Sequence, residues 1–80
     1  MYYVYIIYSK RFDRYYIGMS IDVKQRLITH NLGRVKSTKA FIKWKVVHVE
    51  DFKTRLEARN REKYLKSATG RRWRKNNLGL

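Results

Sequence analysis

The chain has 80 residues, which is enough for one domain over residues 1–80 and no more. It contains no cysteine and no apolar run close to the roughly 18 residues of a membrane span, which excludes a disulfide framework, a thiolate metal site and a membrane-spanning helix. Its 20 Lys and Arg residues against 6 Asp and Glu residues give a net charge of +14 that is spread over both halves of the chain, so the folded domain itself is predicted to bind a polyanion such as nucleic acid.

The first two predicted elements form a β-hairpin. Residues 2–8 are apolar or aromatic on both faces, which is typical of a central strand covered on two sides. Residues 9–14 are polar and turn-like, and residues 15–19 form a second strand.

The register of this hairpin decides which tyrosines are neighbours. If Tyr8 pairs with Tyr15, then Tyr5 faces Gly18, and Tyr5 and Tyr16 share one face as diagonal neighbours. A shift of one residue would separate the two side chains, so the prediction is a geometric one.

A helix of roughly ten residues follows the hairpin. Ser20 or Asp22 is its predicted cap, and Gln25 follows Asp22 at capping-box spacing. Gly33 is predicted to end the helix in a left-handed conformation. The following residues, 34–43, form a basic loop.

A third strand is predicted over residues 44–50. Strict alternation places Val47 and Val49 on one face, and Val46 and His48 on the other. His48 is interpreted as structural because no second metal ligand stands at a matching spacing.

Helices are predicted for the rest of the chain. Thr54 and Glu57 form a capping box at the start of a helix that runs to about Ser67. Residues 68–70 are predicted to be a break, and residues 71–77 a short last helix.

Arg26 and His30 are the first candidate functional pair. Four positions apart on a helix, they point to the same patch. Arginine offers a permanent donor set for a phosphate, and histidine handles protons near neutral pH, so the pair suits phosphoryl chemistry. The alternative is a solvated helix face in an arginine-rich protein.

Glu62 is the second candidate. It is one of only six acids and lies on the apolar stripe of its helix. A carboxylate directed toward a core needs a cation, which leaves two alternatives. One is an ion pair with a nearby arginine, and the other is a divalent metal such as magnesium, held by one carboxylate, water and a substrate phosphate.

Tyr5, Tyr16 and Gly18 are the third candidate group. Most of the seven tyrosines are expected to serve in packing, but these two share a face with a glycine that allows close approach of a substrate. A tyrosine hydroxyl can orient or deprotonate a water if its surroundings assist it.

Nucleic-acid contacts are predicted from two basic segments and from this glycine. Trp73, between two basic pairs, is expected to pack on the sheet, with stacking on a base as the alternative. The residues predicted to bind nucleic acid are Gly18, Lys36, Thr38, Lys39, Arg71 and Arg72.

The order of these motifs resembles the GIY-YIG endonuclease family. The first motif is Val4-Tyr5-Ile6, with valine where the name-giving glycine stands, and the second is Tyr16-Ile17-Gly18. Arg26 and His30 follow at the family spacing, and the late glutamate matches Glu62. The chain is most similar to the small single-domain members related to the nuclease domain of the bacterial excision-repair subunit.

The resemblance implies an α/β fold with a central three-stranded antiparallel sheet flanked by helices. It also implies a single Mg2+ or Mn2+ bound by Glu62. In that family water attacks the phosphodiester in line; Tyr5 would be the base or would orient the water, and Arg26 would stabilise the charged transition state. Tyr16 and His30 would position phosphate and share the proton transfers. The family's late asparagine has no clear match, with Asn76 or Asn77 as the two options.

Two functions of different class follow. The favoured one is a metal-dependent endonuclease that cuts DNA, with branched or nicked structures as the expected substrates, acting in the cytoplasm without membrane contact. The alternative is a non-catalytic nucleic-acid-binding module on the same fold; charge alone would also suit a ribosome-associated basic protein. Cutting domains of this family usually work beside a targeting domain, so a separate targeting protein is a further expected partner.

Overall fold

A three-stranded antiparallel sheet with helices on both faces makes up the protein, as seen in the computed structural model of residues 1–80. The elements are the strands β1 (Tyr2–Ser9), β2 (Arg14–Ser20) and β3 (Lys45–Phe52), the helices α1 (Val23–Asn31), α2 (Arg55–Lys66) and α3 (Ala68–Leu78), and a single 3-10 turn at Lys39–Phe41. The strand order is β2-β1-β3, which confirms the predicted α/β architecture. None of the helices is long and apolar enough to cross a membrane.

The central strand β1 is buried on both faces because its side chains alternate between two cores. Val4 and Ile6 pack against α2 and α3 on one face. Tyr5 and Ile7 pack against α1 and Trp44 on the other. The unbroken apolar and aromatic run of β1 is therefore the pattern of a strand with no solvent-facing side.

The hairpin has the predicted register. Tyr8 pairs with Tyr15, and Tyr5 pairs with Gly18. The stacked rings of Tyr8 and Tyr15, with centroids 4.7 Å apart, support the pairing near the turn. Tyr5 and Tyr16 consequently share a face, with ring centroids 6.5 Å apart.

A β-bulge in β3 makes the predicted alternation wrong. Ile6 pairs with His48 but the next residue of β1, Ile7, pairs with Val46, so Val47 is the extra residue. Val47 packs in the cluster formed by Val4 and Ile6, and the His48 ring lies 5.1 Å from Trp73 on the same side of the sheet. Val46 and His48 therefore lie on opposite faces.

The predicted helix ends are confirmed. The Asp22 carboxylate accepts a hydrogen bond from the backbone N–H of Gln25, and the Thr54 hydroxyl accepts one from the backbone N–H of Glu57. Gly33, two residues after α1, has the left-handed φ of +73°.

The predicted break at residues 68–70 is wrong, because those residues form the first turn of α3. The interruption is confined to Ser67, which follows α2 and whose hydroxyl caps α3 by accepting from the backbone N–H of Gly70. Gly70 is buried, and a Cβ there would lie 2.5 Å from Cα of Leu65. The glycine thus allows the start of α3 to pack on the end of α2, rather than ending a helix.

We expect Gly70→Ala to destabilise the fold. The added methyl group meets backbone atoms of α2 that cannot move without shifting the whole helix, so the free energy of unfolding should fall by about 1–3 kcal/mol. Urea unfolding followed by circular dichroism measures the change, with the exposed neighbour Thr69→Ala as the control. Equal midpoints for the two variants would contradict the proposed packing role.

Candidate active site

A buried chain of hydrogen bonds joins Tyr5, His30 and Thr38. The Tyr5 hydroxyl lies 2.9 Å from Nε2 of His30, and Nδ1 of the same ring lies 2.8 Å from Oγ1 of Thr38. Each of the three residues is at most 1% exposed. Because buried polar groups are normally paired, these three side chains form one mutually satisfied unit.

Three segments of the chain deliver these groups. Tyr5 comes from β1, His30 from the last turn of α1, and Thr38 from the loop between α1 and β3. The Asn31 side chain clamps the end of that loop: its Nδ2 donates to the carbonyl of Trp44 (2.9 Å), and its Oδ1 accepts from the Trp44 backbone N–H (2.6 Å). The Trp44 indole N–H donates to the carbonyl of Thr38 at 3.0 Å, which holds Thr38 against His30.

The hydrogen bonds indicate which His30 nitrogen carries the proton. Oγ1 of Thr38 donates to the carbonyl of Val35 in a long bond of 3.4 Å, and so accepts from the N–H at Nδ1 of His30. Nε2 is then unprotonated and accepts from the Tyr5 hydroxyl. Burial, and secondly the charge of Arg26, lower the pKa of His30 below 6.5, which favours this neutral form.

Arg26, Tyr16 and Glu62 all influence the ionisation of the Tyr5 hydroxyl. Burial raises the pKa of Tyr5 above 10.0; Arg26 lies close enough to oppose this shift, and Tyr16 and Glu62 add to it. The Tyr16 ring centroid lies 4.9 Å from that of His30. Glu62 has the smallest of these effects on the pKa of Tyr5, and its own polar contacts are with Arg59 and Lys66.

Gly18 has a different role from the predicted contact with nucleic acid. It is buried opposite Tyr5, and a Cβ there would lie 2.6 Å from Cζ of the Tyr5 ring. The space that the glycine leaves open is therefore filled by Tyr5, not by a substrate. The absence of a side chain at this position lets the Tyr5 ring lie flat along the sheet next to its partner strand.

Glu62 is buried on α2, with a 7% exposed fraction. Its Oε1 lies 3.2 Å from Nη1 of Arg59, and its Oε2 lies 3.0 Å from Nζ of Lys66. The ion-pair alternative therefore describes the carboxylate in this structure. Both cationic side chains are more than half exposed, so solvent covers the side of each that does not face Glu62.

The donor set at Glu62 also fits a magnesium-like ion. No group of three or more His, Cys, Asp or Glu side chains could form an all-protein metal site. A single hard carboxylate donor suits an ion that takes one or two carboxylates and completes its shell with water and substrate phosphate oxygens. Glu62 is the residue that would hold such an ion.

The residues predicted to bind nucleic acid fall into two groups. Lys36, Lys39, Arg71 and Arg72 are exposed, and none of them forms a salt bridge, so their charges are available to a polyanion. Thr38 is fully buried and bonded to His30, so the prediction that it contacts DNA directly is wrong.

The last helix adds no residue to the group around Tyr5. Asn76 and Asn77 are exposed, and the Asn77 side chain donates to the carbonyl of Trp73. Trp73 is half-buried against the core that contains Val4, and the Arg61 guanidinium lies 4.9 Å from its ring centre. The expected packing role of Trp73 is confirmed.

Sequence analysis missed the parts of the site that depend on loop closure. Thr38 reaches His30 across 8 positions, and Asn31 reaches Trp44 across 13. Neither spacing corresponds to a helical or strand period, so the side chains show no periodic signal in the sequence. Thr38 could be recognised as a polar residue within the basic loop, but its partner His30 could not be predicted.

Comparisons with known proteins found related sequences and a related structure. A sequence model of the GIY-YIG catalytic domain matches residues 1–77. A UPF0213 protein of Streptococcus pneumoniae serotype 4 is 35% identical over 65 residues, which cover 80% of this chain and 65% of that protein. A UPF0213 protein of Streptococcus agalactiae serotype V is 40% identical over 55 residues, 68% of this chain and 62% of that protein. The chain thus spans a little under two thirds of the length of these relatives.

A solved structure shares the fold. The solution NMR structure of the UPF0213 protein BH0048 from Bacillus halodurans superimposes with a TM-score of 0.54 at 28% sequence identity, covering 91% of this chain and 81% of that one. The two chains therefore share the fold over most of their length. From the match over residues 1–77, we conclude that this chain belongs to the GIY-YIG family.

Proposed function

We propose that the protein is a divalent-metal-dependent endonuclease that hydrolyses DNA phosphodiester bonds. The observation that carries the proposal is the buried 2.9 Å contact between the Tyr5 hydroxyl and Nε2 of His30, with the Arg26 cation close enough to oppose the rise in the pKa of that hydroxyl. Membership of a family of catalytic nuclease domains supports the class of activity, and the net charge of +14 supports a polyanionic substrate.

Proton transfer through Tyr5 and His30 is the first part of the mechanism. The Tyr5 oxygen accepts a proton from the attacking water as its own proton passes to Nε2 of His30. The water oxygen bonds to phosphorus, the bond to the departing sugar oxygen breaks, and that oxygen takes a proton from solvent. The imidazolium then returns its proton to solvent. Thr38 keeps the imidazole in the accepting tautomer through the bond to Nδ1.

Charge stabilisation is the second part of the mechanism. Negative charge grows on the phosphate oxygens as the water attacks, and a cation already in place lowers the energy of that state. Arg26 supplies a permanent positive charge beside Tyr5. A Mg2+ or Mn2+ ion held by Glu62 would supply further charge neutralisation at the phosphate. Tyr16, whose ring contacts His30, would position the phosphate.

A non-catalytic DNA-binding module is the second candidate function. One observation favours it: both carboxylate oxygens of Glu62 already have cationic partners in this structure. A metal ion would have to displace Arg59 and Lys66 from the carboxylate. If no ion displaces them, the protein would bind DNA without cutting it.

We propose that branched or nicked DNA in the cytoplasm is the substrate, and that a separate targeting protein directs the domain to it.

A cleavage assay separates the two functions. The purified protein is incubated with supercoiled plasmid, and with branched, nicked and intact linear duplexes, in the presence of Mg2+, Mn2+ or EDTA. An endonuclease converts supercoiled plasmid to nicked circles only with a metal, and prefers branched or nicked duplexes to the intact one. Tight binding in a gel-shift assay without any cleavage would favour the binding module.

The pH dependence of cleavage reports the state of His30. Neutral His30 is the proton acceptor, and its pKa is lowered from 6.5 by burial and by Arg26, so it remains neutral at pH 7. We therefore expect kcat/KM to decline only as the pH falls below 6.5 and the ring becomes protonated. The other histidine, His48, bonds Glu50 at 2.7 Å, and His48→Gln should keep the same acid limb. An acid limb centred above pH 6.5 would contradict the assigned role of His30.

A further inference from the structure

A pocket of about 270 Å³ lies at the edge strand β2, on the face of the sheet that packs against α2 and α3. We call it the β2–α3 pocket; its lining residues are Tyr15, Tyr16, Ile17, Leu65, Lys66, Arg71 and Arg74. Tyr16 also contacts the ring of His30, and Lys66 also pairs with Glu62. Tyr16 and Lys66 thus connect the pocket, around the edge strand β2, to His30 and to Glu62.

The charge of the β2–α3 pocket has one sign. Three of its seven lining residues, Lys66, Arg71 and Arg74, are cations, and none is acidic. Arg71 and Arg74 take part in no salt bridge, and Arg71 is exposed. A concave surface with several unneutralised cations concentrates an anion.

Arg74 is held in a position suited to a phosphate. Its Cζ lies 4.0 Å from the ring centre of Tyr15, and its Nε is buried without a hydrogen-bond partner in the protein. A guanidinium that lies over an aromatic ring keeps its edge N–H groups free for the paired oxygens of a phosphate. Because Nε is closed to solvent, a bound oxyanion would meet the terminal N–H groups of Arg74, which have no acceptor among the protein's own groups.

The residues that line the β2–α3 pocket favour a phosphate over a nucleobase as its ligand. A base would need an open aromatic face, but the Tyr15 ring already stacks with Tyr8 at 4.7 Å and carries the Arg74 guanidinium. The pocket volume lies below the roughly 300–1,000 Å³ of most small-molecule sites, which suits a phosphate with its attached sugar.

We propose that the β2–α3 pocket binds the phosphate of a nucleotide next to the one that is cut, with Arg71 and Arg74 as its ligands. This proposal rests on the proposed function, since it places the reacting phosphate beside Tyr5. The pocket then sets the direction in which the strand leaves the site, because a bound neighbouring phosphate fixes the path of the backbone.

A binding scan with neutral linkages tests the proposal. Single methylphosphonate linkages replace one phosphate at a time in a branched oligonucleotide, and dissociation constants are measured in EDTA, where no cutting occurs. For the wild type, a neutral linkage at one position near the cut should weaken binding on the order of tenfold, as expected for a lost charge-assisted contact. Arg71→Gln and Arg74→Gln should bind that oligonucleotide and the unmodified one equally, whereas the exposed Arg55→Gln should behave as wild type.

The outcomes are distinguishable from a failure of the proposed function. Because the scan needs no cleavage, an inactive wild type would reject the nuclease and leave the pocket testable. Arg71 is exposed, so Arg71→Gln remains informative if Arg74→Gln unfolds, which thermal melting shows. A wild-type profile in both variants would overturn the proposal. It would also be overturned if only a terminal phosphate affected binding, and a neutral linkage at any internal position left the dissociation constant unchanged.

Discussion

Glu62→Gln is expected to abolish metal-dependent cleavage while the protein continues to bind DNA. The amide keeps the shape of the side chain but loses the charge that would hold a divalent cation at a buried position. A metal ion contributes several kcal/mol to the stabilisation of a phosphoryl transition state, so kcat should fall about a thousandfold or more. The loss of the carboxylate also frees Arg59 and Lys66, so DNA affinity should stay equal or increase.

Asp51→Asn is the matched control for this variant. Asp51 is exposed on β3 and forms no salt bridge, so the variant makes the same change in net charge away from the site. It should cut DNA at the wild-type rate. If Glu62→Gln nicks DNA at the wild-type rate, and the same samples are inactive when EDTA is added, another group binds the metal. Nicking that also persists in EDTA would point to a contaminating nuclease.

Tyr5→Phe is expected to reduce cleavage by about 100-fold to 10,000-fold, the usual contribution of a positioned proton acceptor. The phenylalanine ring fills the same space beside Gly18, so the packing of the two strands is retained. What is lost is the hydroxyl that bonds Nε2 of His30 at 2.9 Å. The imidazole nitrogen is then buried without a donor, which should also lower the free energy of unfolding by about 1–3 kcal/mol.

Tyr8→Phe separates the catalytic effect from the structural one. Tyr8 is on the same strand, and its hydroxyl donates to Asp13 at 3.1 Å near the turn, away from His30. This variant loses a tyrosine hydroxyl and one hydrogen bond without loss of cleavage. Single-turnover rates and urea midpoints are compared for both variants. A Tyr5→Phe protein that cuts DNA at the wild-type rate would exclude Tyr5 from the proton transfer.

Much of the fold could be predicted from local patterns. The aromatic and apolar run of β1 indicates a strand buried on both faces, and the register in which Tyr8 pairs with Tyr15 puts Tyr5 and Tyr16 on a common face. The caps at Asp22 and Thr54 were also predictable, because each depends on two residues that are only three positions apart. Interactions within one turn or one hairpin leave a periodic trace in the sequence.

Long-range interactions could not be predicted in the same way. The bulge at Val47 depends on how β3 fits β1, and Gly70 looks like a break until the end of α2 is seen beside it. Thr38 stands in a polar, basic loop that was expected to contact DNA, but loop closure by Asn31 and Trp44 turns its side chain inward to His30. Each of these corrections comes from a contact between segments that are distant or irregularly spaced in the chain.

The two contacts of Lys66 have a thermodynamic consequence. Its ammonium group both pairs with Glu62 and lines the β2–α3 pocket, so it cannot fully serve both anions at once. A phosphate that drew Lys66 into the pocket would expose a carboxylate oxygen of Glu62, and a cation bound by Glu62 would release Lys66 to the phosphate. Such linkage is reciprocal, so DNA should raise the affinity for the metal by the same factor by which the metal raises the affinity for DNA. The lysine would act as a built-in counterion that delays metal loading until the substrate arrives.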